Sequence, residues 1–248
     1  MPVHRAAVES DLLIGLSCTD SLPITGRLFS AAFRTPSADG SYRCSHCEER
    51  RFIDCLESLF CRAYNDFLQA YGGAPLSRLV FCCHSGFPLE ALCDFRDRLE
   101  QRLPGLQVAA AQVELPVPRP SLPSRCACLT AEPPGTCLCH PGGGFSLYCR
   151  EVSSRPGDSG STVPLPFRVT PQLLLPSGGL SPFPSGDTAA LAGLLCRSAW
   201  ADPLCLDGAF LPSPLLQADR LLNRLLREWR QEREYRNAIL MPVDALSF

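Results

Sequence analysis

The chain reads as a layered α/β protein: a mixed sheet with flanking helices, a proline- and glycine-rich insertion, and a long C-terminal amphipathic helix. Three observations predict this. Short apolar runs of strand length recur at 11–18, 26–34, 77–84 and 106–115. Helical periodicity fills 48–71 and 88–102 between them, the alternation expected of layered α/β folds. Fourteen of the 24 prolines fall within 116–188, where the regular pattern stops. The expected organisation is an α/β core over 8–115, a Pro/Gly/Cys-rich insertion over 116–188 that is partly disordered, and a helical segment over 189–248.

Each element has a local cause. DLLIGLSC and GRLFSAAFR flank a turn-like SLPIT, which suggests a strand pair. From Glu48 to Tyr71, residues Phe52, Leu56, Leu59, Phe60, Ala63 and Phe67 recur every three or four positions, and Gly72-Gly73 supplies the stop. SRLVFCCH at 77–84 is apolar throughout, as a strand buried on both faces should be. Pro88 occupies the first turn of the next helix, where its missing N–H is harmless, and Pro104-Gly105 ends that helix. LQVAAAQVEL at 106–115 is another buried strand. Within the insertion, 145–152 and 165–175 have strand character, and Pro171 restricts the second to an edge. Asp187 or Thr188 caps an Ala/Leu-rich helix to about Ala199. Ser213 and Pro214 open the last helix, whose stripe carries Leu215, Ala218, Leu222, Leu225, Leu226 and Trp229.

Composition excludes several chemistries. All 23 basic residues are arginine. With no lysine there is no standard phosphate-loop lysine, no Schiff-base lysine and no kinase strand lysine. A net charge of -2 provides no bulk attraction for polyanions, so no nucleic-acid partner and no membrane is expected. The 15 cysteines lack the spacing of a secreted disulfide framework. With acidic Glu9 and Asp11 before the first apolar run in place of a signal-peptide flank, they point to an intracellular protein, cytoplasmic or nuclear, with free thiols.

The stretch RCSHCEERRFIDC raises the question of a metal. Cys44-x2-Cys47 is a half-site in which two thiolates could reach one tetrahedral zinc, and Cys137-x2-His140 would complete a structural Cys3His site. Cys126, Cys128 and Cys139 lie beside the second half. No cofactor is otherwise expected. Cys82-Cys83-His84 at a strand end could hold a reactive thiol, although a buried strand is the simpler reading.

A strand pair, then His46-x-Glu48 opening a helix, then a strand and a proline-started helix, resembles the cytidine deaminases, especially their nucleic-acid-editing branch. The resemblance implies zinc on His46 and proton transfer by Glu48. The second motif of that family is absent, because Pro88 is followed by Leu89, Glu90, Ala91 and Leu92. The implied form is an inactive scaffold. Gly157-Asp158-Ser159-Gly160 resembles the nucleophile segment of trypsin-like proteases, but it sits among small residues and reads as a turn.

With no catalytic residue assigned, the expectation is a non-enzymatic adaptor, a subunit of a larger complex. It would dock a protein partner through the apolar stripe of its last helix, in the helix-in-groove manner. The alternative is a zinc-binding protein with a structural Cys3His site, or an inactive cytidine-deaminase-like scaffold carrying His46 and Glu48.

Overall fold

The protein is described as a computed structural model covering residues 11–20, 26–35, 42–114, 136–140, 143–148, 167–200 and 211–240. The Gly157–Gly160 segment, Cys126 and Cys128 lie outside the described residues.

A mixed sheet of nine strands is flanked by helices. The strands are β1 Asp11–Cys18, β2 Leu28–Phe33, β3 Arg43–Glu48, β4 Arg78–His84, β5 Gln107–Glu114, β6 Thr136–Cys139, β7 Phe145–Tyr148, β8 Phe167–Leu174 and β9 Leu180–Pro182. The helices are α1 Phe52–Ala70, α2 Cys93–Arg102, α3 Thr188–Trp200 and α4 Ser213–Leu240. Strand order is β3-β2-β1-β4-β5-β8-β7-β6, with β9 pairing β8. Only β1–β4 and β4–β5 are parallel; every other pairing is antiparallel. Each parallel step is bridged by a helix, as a crossover requires.

The period of two in each central strand divides its residues between two cores. Leu12, Ile14 and Leu16 of β1, with Leu79, Phe81 and Cys83 of β4, face α1 and α2. Leu13, Val80 and Cys82 face the opposite way, toward Leu191 and Leu195 of α3 and Leu215 of α4. The first core is aromatic: Phe29 stacks on Phe52 at 4.2 Å, and Phe95 meets both Phe60 and Phe81 edge-on.

Two strands depart from the sequence expectation. β3 falls where a helix is expected to open, because RCSHCE is too short and polar to show alternation. β8 lies inside the sheet between β5 and β7, yet it carries Pro171. Its pairing with β7 covers Phe167 to Val169 and that with β9 covers Gln172 to Leu174, so Pro171 falls in the gap between those two neighbours. A residue without an N–H is tolerated at a locally open side of a strand. Among the described residues, no helix is long and apolar enough to cross a membrane.

Candidate functional site

The site is organised by the way α4 lies on the sheet. At Gly15, in the middle of β1, an added Cβ would stand 2.1 Å from the carbonyl carbon of Pro214, so the helix backbone rests directly on the strand. Only a residue without a side chain allows that approach. Polar ties reinforce it. Ser30 Oγ donates to the Ala218 carbonyl at 2.7 Å, both groups buried, and Ser213 Oγ donates to the Ser198 carbonyl. From its start beside β1, α4 proceeds toward the carboxyl ends of β1 and β4.

There Asp219 Oδ2 meets His84 Nε2 at 2.8 Å. His84 is the last residue of β4, and Asp219 belongs to α4, 135 positions later. The hydrogen bond to Asp219 holds the His84 imidazole above its ordinary value of 6.5; partial burial opposes this, and the carboxylate charge adds to it. The following loop is pinned by Gln112 Nε2, which donates to the Ser85 carbonyl at 3.3 Å. Cys83, next to the histidine, is inert: burial pushes its thiol up to about 12. That disposes of a nucleophilic Cys83 and leaves His84–Asp219 as the polar pair of this edge.

Further along the same edge, an open groove of about 540 Å³ runs between the end of β3, the first turn of α1 and the outer half of α4. His46, Arg50, Arg51, Leu225 and Trp229 line it, with Glu48 and Glu228 among the acidic wall residues. Arg50 is paired with Glu48 at 2.9 Å. His46 reaches the groove because it pairs across the sheet with Ser30, on the face that α4 covers. A second cavity of about 320 Å³ opens at the amino end of β1, between Arg34, Tyr42, Tyr71 and Arg197.

The sequence-derived zinc site does not assemble. Cys44 and Cys47 are three apart on an extended strand, so their side chains point to opposite faces. Cys137 and His140 belong to β6 and its end, at the other edge of the sheet. Seven strand spacings separate β3 from β6, roughly 33 Å. Instead, His140 Nε2 meets Ser146 Oγ at 2.7 Å. Among the described residues, no group of three or more His, Cys, Asp or Glu side chains is placed to hold an ion. The deaminase resemblance fails for a related reason: His46 and Glu48 sit on strand β3, not on the helix that the family's motif requires.

The docking stripe is also reassigned. Leu215, Ala218 and Leu222 are buried at 0, 0 and 5% exposure against the chain's own sheet, while Leu225, Leu226 and Trp229 are half-buried further out. A long apolar stripe needs a cover, and here β1 and β2 provide much of it. Sequence reasoning missed the His84–Asp219 pair, which no local pattern announces. Gly15 was the available signal, since a glycine within an apolar strand marks close backbone approach.

No family model and no curated protein matches the sequence. The fold does have solved counterparts. Marinitoga piezophila Argonaute in complex with 5′-OH guide RNA and target DNA matches over 86% of this chain and 30% of its own, at 11% identity and a TM-score of 0.52. The C-terminal lobe of a budding yeast Argonaute matches over 86% of this chain and 46% of its own, at 10% identity and a TM-score of 0.52. The chain thus spans less than half the length of these proteins, and the likeness is one of fold. It nevertheless overturns two expectations. An adaptor that docks proteins through α4 gives way, because the sheet takes up the inner stripe and the same frame belongs to the Marinitoga piezophila Argonaute solved with guide RNA and target DNA. The exclusion of nucleic acid from net charge gives way as well, since total charge says nothing about one edge.

Proposed function

We propose that the protein binds single-stranded nucleic acid along the carboxyl edge of its sheet, and that it does so inside the cell. The observation that carries this reading is the shared frame: 86% of the chain superposes on an Argonaute solved with guide RNA and target DNA. The residues on that edge suit the task. Trp229 offers an aromatic face on which any base can stack, Arg50 and Arg51 stand where a backbone phosphate would pass, and His84 and His46 add donors. The free state of all eleven described cysteines supports an intracellular setting.

Glu48, Glu228 and Glu232 face the groove further out, so affinity comes from stacking more than from charge.

Fluorescence anisotropy with short labelled single strands of RNA and of DNA tests the reading. Trp229→Ala should weaken binding by about 1–3 kcal/mol, the range for losing one stacked base. The Arg50→Ala/Arg51→Ala double variant should flatten the salt dependence by about 0.7 in slope for each phosphate that is no longer neutralised. Absence of binding to either strand, or binding indifferent to both variants, would refute the assignment.

A further inference from the structure

Among the described cysteines, one pair of thiols stands apart. Cys82 and Cys83 are adjacent on β4 and point to opposite cores, both fully buried. Cys18 lies near the sealed Cys83. Cys137 and Cys139 are two apart on β6, on the same face, where an extended backbone holds the Cβ atoms further apart than the ~3.8 Å of a disulfide. Cys44 and Cys61 are exposed. Cys47 and Cys55 hydrogen bond as Cys137 and Cys139 do, but they come from different elements, so no shared strand fixes their spacing.

The meeting follows from the aromatic core. Cys47 pairs across the sheet with Phe29, on the face toward α1. Phe29 stacks on Phe52, the first residue of α1. Cys55 lies one turn further along that helix and so comes beneath β3, where its thiol and that of Cys47 are close enough to hydrogen bond. Both half-buried thiols line the open groove, so a small solute can reach them from solvent.

We propose that Cys47 and Cys55 form an oxidisable dithiol, a modification site that closes to a disulfide on reaction with a hydroperoxide. Burial, reinforced by the Cys55 hydrogen bond, pushes the Cys47 thiol up to about 12; either sulfur of the pair can take the first oxidation and the other closes the bond, as when Cys55 leads. The Cys55 thiolate attacks a peroxide oxygen; the O–O bond breaks, hydroxide leaves and takes up a proton, and Cys55 becomes a sulfenic acid. Cys47 Sγ then attacks that sulfur. The S–S bond forms, the S–O bond breaks, and water departs with the Cys47 proton. Overall, two thiols and one hydrogen peroxide give one disulfide and two waters. Because each step needs a thiolate, closure speeds up as pH rises. The bond would clamp the end of β3 to the first turn of α1 and fix one wall of the groove. Its formation is independent of what the groove binds.

The test uses the full-length, reduced protein under native conditions. It is treated with hydrogen peroxide, blocked with N-ethylmaleimide and digested with trypsin, which cuts after Arg43, Arg50, Arg51 and Arg62. The expected product joins peptide 44–50 to peptide 52–62, with fragment ions placing the link at Cys47 and Cys55. Among the described cysteines it should exceed any other pair by roughly tenfold, since these two thiols meet in an open groove without the i, i+2 strand spacing of Cys137 and Cys139. Dithiothreitol should reverse it. Cys47→Ser should abolish the link and leave Cys55 as a sulfenic acid that dimedone traps, a readout that needs no second cysteine. Fragment ions placing the link at Cys44 or Cys61, or a wild-type digest in which Cys47 and Cys55 stay separately alkylated, would overturn the proposal. Absence of the link with nucleic-acid binding retained, or the reverse, would show which of the two proposals fails.

Discussion

The two faces of the sheet are held by different physics. On the α1/α2 face, large aromatic rings interlock: Phe29, Phe52, Phe60, Phe81, Phe87 and Phe95 form one continuous cluster with aliphatic neighbours. On the α3/α4 face the rings are fewer, and α4 is drawn in by backbone proximity at Gly15, by the Ser30 and Ser213 hydroxyls, and by the His84–Asp219 pair. An aromatic face derives its strength from volume and is indifferent to pH. A face held by close approach and polar ties depends on single atoms. The difference teaches that the second face, which also presents the groove, is where small chemical changes should be felt.

The comparison breaks most severely if the aromatic face is hollowed. Phe29→Ala removes a fully buried ring that touches Phe52 and Phe87 and should lower unfolding free energy by about 3–5 kcal/mol in urea titration. If it costs no more than a surface substitution, the assignment of this face as the structural anchor is wrong.

Gly15→Ala probes the other face. The new methyl meets backbone atoms of Pro214 and Leu215, which cannot rotate away, so α4 must move; the expected cost is about 1–3 kcal/mol. Limited proteolysis should then cut α4 early while α1 and α2 stay protected. Equal protection of all four helices would remove the contrast between the faces.

The smallest effect concerns pH. Asp219 raises the His84 value in the folded state, so the pair stabilises fully below the unfolded value of 6.5 and loses that contribution as pH rises through the higher folded value. Melting temperatures of the wild type and of Asp219→Asn should therefore differ most near pH 6 and converge as the solution becomes alkaline. NMR titration of the His84 ring gives the same answer directly. An imidazole titrating below 6.5 would dissolve the pairing.

Much of the frame is legible because periodicity is local. β1, β2, β4 and β5 announce themselves as apolar runs, and α1 through α4 as three-and-four spacing bounded by Gly72-Gly73, Pro104-Gly105 and Ser213-Pro214. β3 is not legible, since an edge strand of six residues with arginine, histidine and glutamate has no apolar face to repeat. That single omission misplaces Cys44, Cys47, His46 and Glu48 together, because spacing that brings two thiols together in a tight turn sends them to opposite faces of a strand. The α4 stripe is a surface needing cover, as its pattern says, and for Leu215, Ala218 and Leu222 the cover is the chain's own sheet; amphipathicity gives the width of a face and not the identity of what meets it. The His84–Asp219 pair joins residues that only the strand order makes neighbours.

β3 has a last consequence, for how the protein behaves in crowded solution. A sheet this wide ends in two rims whose backbone groups could recruit a strand from another molecule, and such growth is how aggregates begin. The β3 rim is guarded: Arg43 and Glu48 place charge along it, so an incoming strand would have to bury them. The β6 rim, with Leu138 exposed at 44% and Cys139 exposed beside it, carries no such guard among the described residues. A charged residue at 138 should therefore lower any self-association that proceeds through β6.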